Sequence, residues 1–113
     1  MNTAVVTGAT SMIGYAVIAQ LVQNNIKVYA VVREKSTNLS RLDSVADSVN
    51  IIECGLDALA ELPHKIADKC DVFYHFAWGH TGAKRDDNLR FQTENINFTL
   101  DAVDAAAQLG CKR

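Results

Sequence analysis

The residues best placed to do chemistry are two glycines and the turn between them. Val6-Thr7-Gly8-Ala9-Thr10-Ser11-Met12-Ile13-Gly14 joins a β-branched run to an apolar stripe at helical spacing, so the turn opens a helix. A helix N-terminus carries backbone N–H groups that no carbonyl of the helix can accept, and a dinucleotide pyrophosphate suits those donors. Gly8 permits the tight turn, and Gly14 lets helix and strand approach closely. A glycine pattern alone is a weak signal; its place at the first strand-to-helix junction makes it a binding-site expectation.

A second position lies at the end of the next β-branched run. Arg33 stands 19 residues after Gly14, where dinucleotide folds read the adenosine ribose. A carboxylate there would accept from both ribose hydroxyls. A guanidinium instead offers planar donors and positive charge to a 2′-phosphate, which an aspartate would repel. NADP is therefore expected in preference to NAD, with Lys35 and Ser36 assisting. The competing reading is a solvated charge at a strand end.

These groups must be positioned by a regular alternation. Short β-branched runs at 3–7, 27–33, 49–54 and 71–78 are separated by helix-like segments. Ile13, Val17 and Leu21, with Ile18 and Val22, form the stripe of the first helix, which ends at Asn24-Asn25. Weaker helices read over Asn38 to Asp47 and over Leu56 to Lys69, the latter broken by Pro63. After a loop from Gly79 to Lys84, a long helix starts near Asp86, capped by Asp86 or Asp87. Its expected buried stripe is Ile96, Leu100, Val103 and Ala107, and Gly110 is placed for a left-handed C-terminal cap. Strands alternating with helices predict parallel pairing through crossovers, hence a three-layer α/β sandwich, and a dinucleotide-binding fold of this kind sets its four strands in order 3-2-1-4. The ligand site is expected at the C-terminal ends of the strands, in one domain over 1–113.

Composition closes off other classes. At 49% hydrophobic and 21% charged residues the chain reads as globular rather than disordered. A net charge of -2 gives no basic field for nucleic acid, and no apolar stretch reaches the roughly 20 residues of a membrane span. Met1-Asn2-Thr3 has no signal-peptide character, so a cytoplasmic location is expected. Cys54, Cys70 and Cys111 read as reduced structural thiols, and His64, His75 and His80 have no metal-site spacing. His75 reads as a packed strand residue, His80 as a loop residue. Asp86-Asp87 reads as a helix start, and Phe91, Phe98 and Trp78 as packing groups.

Thr7-Gly8-Ala9-Thr10-Ser11-Met12-Ile13-Gly14 resembles the Thr-Gly-x-x-Gly-x-x-Gly loop of extended short-chain dehydrogenase/reductases, the NAD-dependent epimerase/dehydratase family. Ser11 takes the middle glycine position, with a hydroxyl able to donate to a phosphate oxygen. Asp71 to Trp78 is similar to the family's fourth strand, which ends in His-x-Ala-Ala beside the cofactor. Asn95-Ile96-Asn97-Phe98-Thr99 resembles its Asn-Val-x-Gly-Thr helix segment, and Glu53-Cys54-Gly55-Leu56 its Gly-Asp-Leu adenine segment, with Gly55 at the aspartate position. The resemblance implies a Rossmann-type fold and a cofactor-facing set of Gly8, Thr10, Ser11, Met12, Ile13, Gly14, Arg33, Ser36, Leu56, Phe76, Ala77, Trp78 and Asn95.

The family's catalytic Ser or Thr and Tyr-x-x-x-Lys pair are expected beyond Arg113, together with the small-molecule substrate site. Within the chain, the residues four after Tyr15, Tyr29 and Tyr74 are Ala19, Arg33 and Trp78, so no catalytic residue is assigned. The first reading is the dinucleotide-binding part of an epimerase, dehydratase or reductase acting on a nucleotide sugar. The alternative is a non-catalytic NADP-binding redox-sensing or regulatory module. Self-association is expected along the fourth strand, whose outer edge carries Val72, Phe73, Tyr74 and Phe76 with no lysine or proline to blunt it. Part of the long helix's apolar stripe is expected to face water beside that edge.

Overall fold

The computed structural model describes residues 2–33, 48–77 and 89–112, and of 89–92 the backbone only. Four strands form one sheet: β1 (Thr3–Thr7), β2 (Lys27–Val32), β3 (Val49–Glu53) and β4 (Val72–His75). Their order is β3-β2-β1-β4 and every pairing is parallel, as the alternation of runs predicts. The register sets Thr7 beside both Val31 and His75, so β1, β2 and β4 finish together at one edge of the sheet.

Alternate residues of the strands supply two separate cores, as the two-residue period of a strand requires. Ala4, Val6, Val28, Ala30 and Val32 pack under α1 (Met12–Gln23) against Ile18 and Leu21. Val5, Tyr29 and Val31 pack on the other side against Leu59 of a 3-10 helix (Leu56–Glu61), Leu62 of α2 (Leu62–Lys65), and Ala102, Ala105 and Leu109 at the end of α3 (Leu89–Gln108). A central strand covered on both faces is apolar on both, and Ala4, Val5 and Val6 are all fully buried.

Three local expectations are corrected. Ile13 leaves the stripe of α1: it lies in the first turn, and its side chain is exposed while Ile18 and Leu21 carry the buried face. The segment 56–69 becomes two short helices, with Pro63 in the first turn of α2, where its missing N–H costs nothing, and the chain turns extended at Ile66. The stripe of α3 is turned by about one residue: Ile96, Leu100 and Val103, read as a buried stripe of which part faces water, are 57%, 58% and 60% exposed, while Asn95, Ala102, Ala105 and Leu109 are buried. Alanines let the helix approach closely, and that close face wins over the one bearing larger apolar side chains. Ala107, read with the stripe, is exposed as well.

Both helix ends follow the sequence reading. Asn24 caps α1 and Asn25 takes a φ of 60°. Gly110 takes a φ of +81°, with its N–H on the Ala107 carbonyl and that of Cys111 on the Ala106 carbonyl, the paired bonds of a Schellman cap. The putting-together of the sheet's opposite end rests on Asp71, whose carboxylate accepts from the N–H groups of Asn2 (2.8 Å) and Thr3 (3.0 Å). Asp68 there takes both the Lys27 ammonium and the Tyr29 hydroxyl. The helix expected over 38–47, the loop 79–84 and the caps Asp86 and Asp87 lie outside the described residues. No described helix is long and apolar enough to cross a membrane.

Candidate functional site

At the end of β1 the backbone reverses through Gly8, whose φ of +64° lies in the left-handed region. Gly8 also abuts the chain leaving β4: a Cβ there would stand 2.9 Å from both the Ala77 nitrogen and the Phe76 carbonyl carbon. The Ser11 N–H then closes the turn onto the Gly8 carbonyl at 3.0 Å, and Ala9 is buried beneath. Ser11 is the N-cap of α1, with φ -72° and ψ 162°. Its hydroxyl accepts from the Gly14 N–H at 3.0 Å and donates to the Gly8 carbonyl at 2.7 Å.

The Ser11 hydroxyl proton is directed to the Gly8 carbonyl, and the negative φ of Ser11 is one that any residue adopts. Gly14 is where the demand for glycine is absolute, since a Cβ would lie 2.2 Å from the Gly8 carbonyl oxygen. With Gly14 held by Ser11, the N–H groups of Met12 and Ile13 remain without an acceptor in the helix, and both side chains are exposed beside them. Two open donors and the positive end of a 12-residue helix dipole thus meet at one turn.

Thr7 joins this turn to β4. Its buried hydroxyl oxygen accepts from the Phe76 N–H (3.1 Å) and the Ala77 N–H (3.3 Å), which occupies both lone pairs. Its contact with His75 Nδ1 at 2.8 Å is therefore one in which the hydroxyl donates. His75 is neutral in that arrangement, with its proton on Nε2, a buried atom that has no hydrogen-bond partner among the described residues. Burial holds the His75 pKa below the ordinary histidine value.

The remaining expected residues fall as follows. Arg33 is exposed and directly follows β2 at the same edge of the sheet; Thr10 is half-buried in the turn; Phe76 and Ala77 lie against Gly8. Leu56 packs partly into the core at the start of the 3-10 helix, and Asn95 is fully buried on the inner face of α3, its carbonyl accepting from the Thr99 hydroxyl. Ser36, Trp78, Lys35 and His80 lie outside the described residues. His75, read as a packed strand residue, lies half-buried in β4, whereas the sequence reading gives Thr7 and Asp57 no role of their own. Thr7 and His75 are separated by 68 positions and meet only through strand register. Asp57 brings a carboxylate oxygen to 2.7 Å from where a Cβ of Gly55 would be, so the space of the side chain absent at 55 is filled from 57.

A strand, a left-handed glycine, a helix with open first-turn donors and a second glycine in contact with the first define a dinucleotide-binding α/β domain of Rossmann type. The first-turn N–H groups of Met12 and Ile13, which find no acceptor in the helix, fit a cofactor pyrophosphate. The family model described as NAD dependent epimerase/dehydratase matches residues 4–113, and the chain belongs to that family. The UDP-Glc/GlcNAc 4-epimerase of Campylobacter jejuni superposes with a TM-score of 0.78 at 16% identity, over 97% of this chain and 35% of that one. For the UDP-glucose 4-epimerase of Thermotoga maritima, solved with UDP-glucose, the values are 0.73, 19%, 99% and 36%. A short-chain dehydrogenase/reductase of Burkholderia multivorans with bound NADP gives 0.72, 16%, 96% and 53%. The chain thus spans between about a third and just over half of the length of these solved proteins. No curated protein sequence matches it.

Proposed function

We propose that the chain binds NADP across the crevice where β1 and β2 end, and serves as the cofactor-binding part of an epimerase, dehydratase or reductase acting on a nucleotide sugar. The observation that carries this reading is the contact of Gly14 with the Gly8 carbonyl beneath an open helix N-terminus. The cofactor supplies hydride transfer when bound. Met12 and Ile13 hold the pyrophosphate through their N–H groups, Gly8 and Ala77 keep the floor of the crevice flat, and Asp57 offers a carboxylate toward the adenine end. The sugar nucleotide is supported by the two epimerases whose fold the chain shares.

The choice of NADP rests on Arg33, exposed at the end of β2. Arg33→Asp is expected to weaken NADP binding by roughly fivefold to 150-fold, about 1–3 kcal/mol for a charge-assisted contact, and to leave NAD binding unchanged or improved. Calorimetric titration of both cofactors measures this. Equal losses for the two would rule out contact with a 2′-phosphate, and no binding of either by the parent chain would sink the reading altogether.

Self-association belongs to the same proposal. Among the described residues β4 ends the sheet, and Ile96, Leu100 and Val103 recur at spacings of four and three on the exposed side of α3. Two copies meet along the free edge of β4, and the stripe on α3 is covered with it. Sedimentation at micromolar concentration is expected to show a dimer that Leu100→Lys converts to monomer. A soluble monomer of the parent chain would refute it.

A further inference from the structure

Two of the three cysteines meet at the end of the sheet away from the glycine turn. Gly110 reverses the chain after α3, and the returning segment pairs with the segment entering β4: the Cys70 N–H donates to the Leu109 carbonyl at 3.0 Å, and the Lys112 N–H to the Asp71 carbonyl at 3.0 Å. Between these anchors Cys111 packs against the core cluster that contains Cys70, whose thiol donates to the Asp68 carbonyl at 3.8 Å, and both cysteines are free. Cys70 is 2% exposed, whereas Cys111 is only partly buried. Cys54 is engaged elsewhere, donating to the Ala58 carbonyl at 3.2 Å.

We propose that Cys70 and Cys111 form a reversible disulfide that locks the end of α3 onto the start of β4. The oxidant is a low-molecular-weight disulfide, RSSR. Cys111, the accessible partner, loses its proton and attacks one sulfur, forming a mixed disulfide and expelling RS⁻, which takes up a proton. Cys70 then loses its proton and attacks the Cys111 sulfur, expelling the second RS⁻. The two protein thiols are oxidised by two electrons, one RSSR is reduced to two RSH, and both protons are accounted for. The bond closes a long loop from 70 to 111 that contains β4 and α3, so it restricts the unfolded chain more than the folded one.

Burial and neighbouring acids push the Cys70 thiol up to about 11, and burial raises Cys111 as well. Thiolate is scarce at neutral pH, and the oxidation is a slow one that quickens with alkalinity. The bridge is therefore a brace set by sustained redox conditions. It lies far along the strands from the dinucleotide turn, so its formation alters stability without occupying the crevice.

The test treats the full chain with oxidised glutathione between pH 7 and 9, alkylates the remaining thiols and digests with trypsin. A disulfide-linked pair of peptides, 70–84 with 91–112, is expected, with Cys54 alkylated, faster formation at higher pH and full reversal by dithiothreitol. The melting temperature is expected to rise by about 10 °C, the scale for closing a loop of this length in a small domain. Cys111→Ser removes the rise and Cys54→Ser keeps it; if Cys70→Ser fails to fold, Cys70→Ala serves. Cys111 persisting as a glutathione adduct, a dimer crosslinked through Cys111, or a linked pair with no rise in melting temperature would each overturn the proposal.

Discussion

Gly14→Ala is expected to destabilise the chain by about 3 kcal/mol, the upper range for overpacking a filled site, and to abolish dinucleotide binding. Helix propensity alone forecasts the reverse, because alanine is preferred to glycine inside a helix by about 1 kcal/mol. The steric term decides the sign. The added carbon would stand 2.2 Å from the Gly8 carbonyl oxygen, 3.0 Å from the Gly8 carbonyl carbon and 3.0 Å from the Ser11 hydroxyl. A flexible side chain could swing away, but the nearest atom is backbone, held by the Ser11 N–H and hydroxyl together. Relief requires moving the turn itself, and Gly8 cannot retreat because Ala77 and Phe76 stand behind it. Urea unfolding measures the stability and calorimetry the affinity. A G14A variant as stable as the parent, with unchanged affinity, would show that the turn yields and that glycine contact does not shape the crevice.

How much of this was legible in the sequence depends on the separation of the groups. The glycine turn is local: its residues fall within nine positions and its strand and helix flank it directly, so the turn could be read from spacing, and the sheet order followed from the dinucleotide-binding fold it implies. Gly110 and Asn24-Asn25 were readable for the same reason, because a helix cap depends on its own few residues. The face of α3 was not. Ile96, Leu100 and Val103 are larger and more apolar than Ala102 and Ala105, yet the alanine side is the buried one, since close approach to the sheet is set by the partner layer and not by the helix. Ser11 shows a subtler limit. Its place in the motif suggests a phosphate contact, whereas its role as the N-cap, with the hydroxyl bonded to two backbone groups of its own turn, is set by capping geometry. Thr7 with His75, and Cys70 with Cys111, are joined only by strand register and chain return, which no local pattern carries.

Thr7→Val is expected to cost about 3 kcal/mol while Thr7→Ser costs little, because what matters is the oxygen that serves three groups. Valine keeps the shape but strands the Phe76 and Ala77 N–H groups and His75 Nδ1, and each buried group left unpaired costs about 1–3 kcal/mol, partly recovered where water can reach. The same hub makes the fold sensitive to acid. A protonated His75 would present an N–H to an oxygen whose two lone pairs are already taken, and burial opposes the charge as well. The folded pKa therefore lies below the 6.5 of an exposed histidine, and the unfolded chain binds the proton more tightly. The stabilising contribution of the neutral ring is complete above about pH 6.5 and is lost as pH falls from there through the folded pKa. Asp68 and Asp71 titrate in a separate window: their pKa values are lowered from 3.8, chiefly by the Lys27 and Tyr29 hydrogen bonds for Asp68 and by the Asn2 and Thr3 N–H groups for Asp71. What they contribute persists down to about pH 4 and is lost below it. A stability profile is thus expected to decline in two steps, the first removed by His75→Gln and the second retained. Because Phe76 and Ala77 lie against Gly8, dinucleotide affinity should fall with the first step. A single acid transition below pH 4, unaltered by His75→Gln, would show that the histidine accepts its proton without disturbing the end of β4.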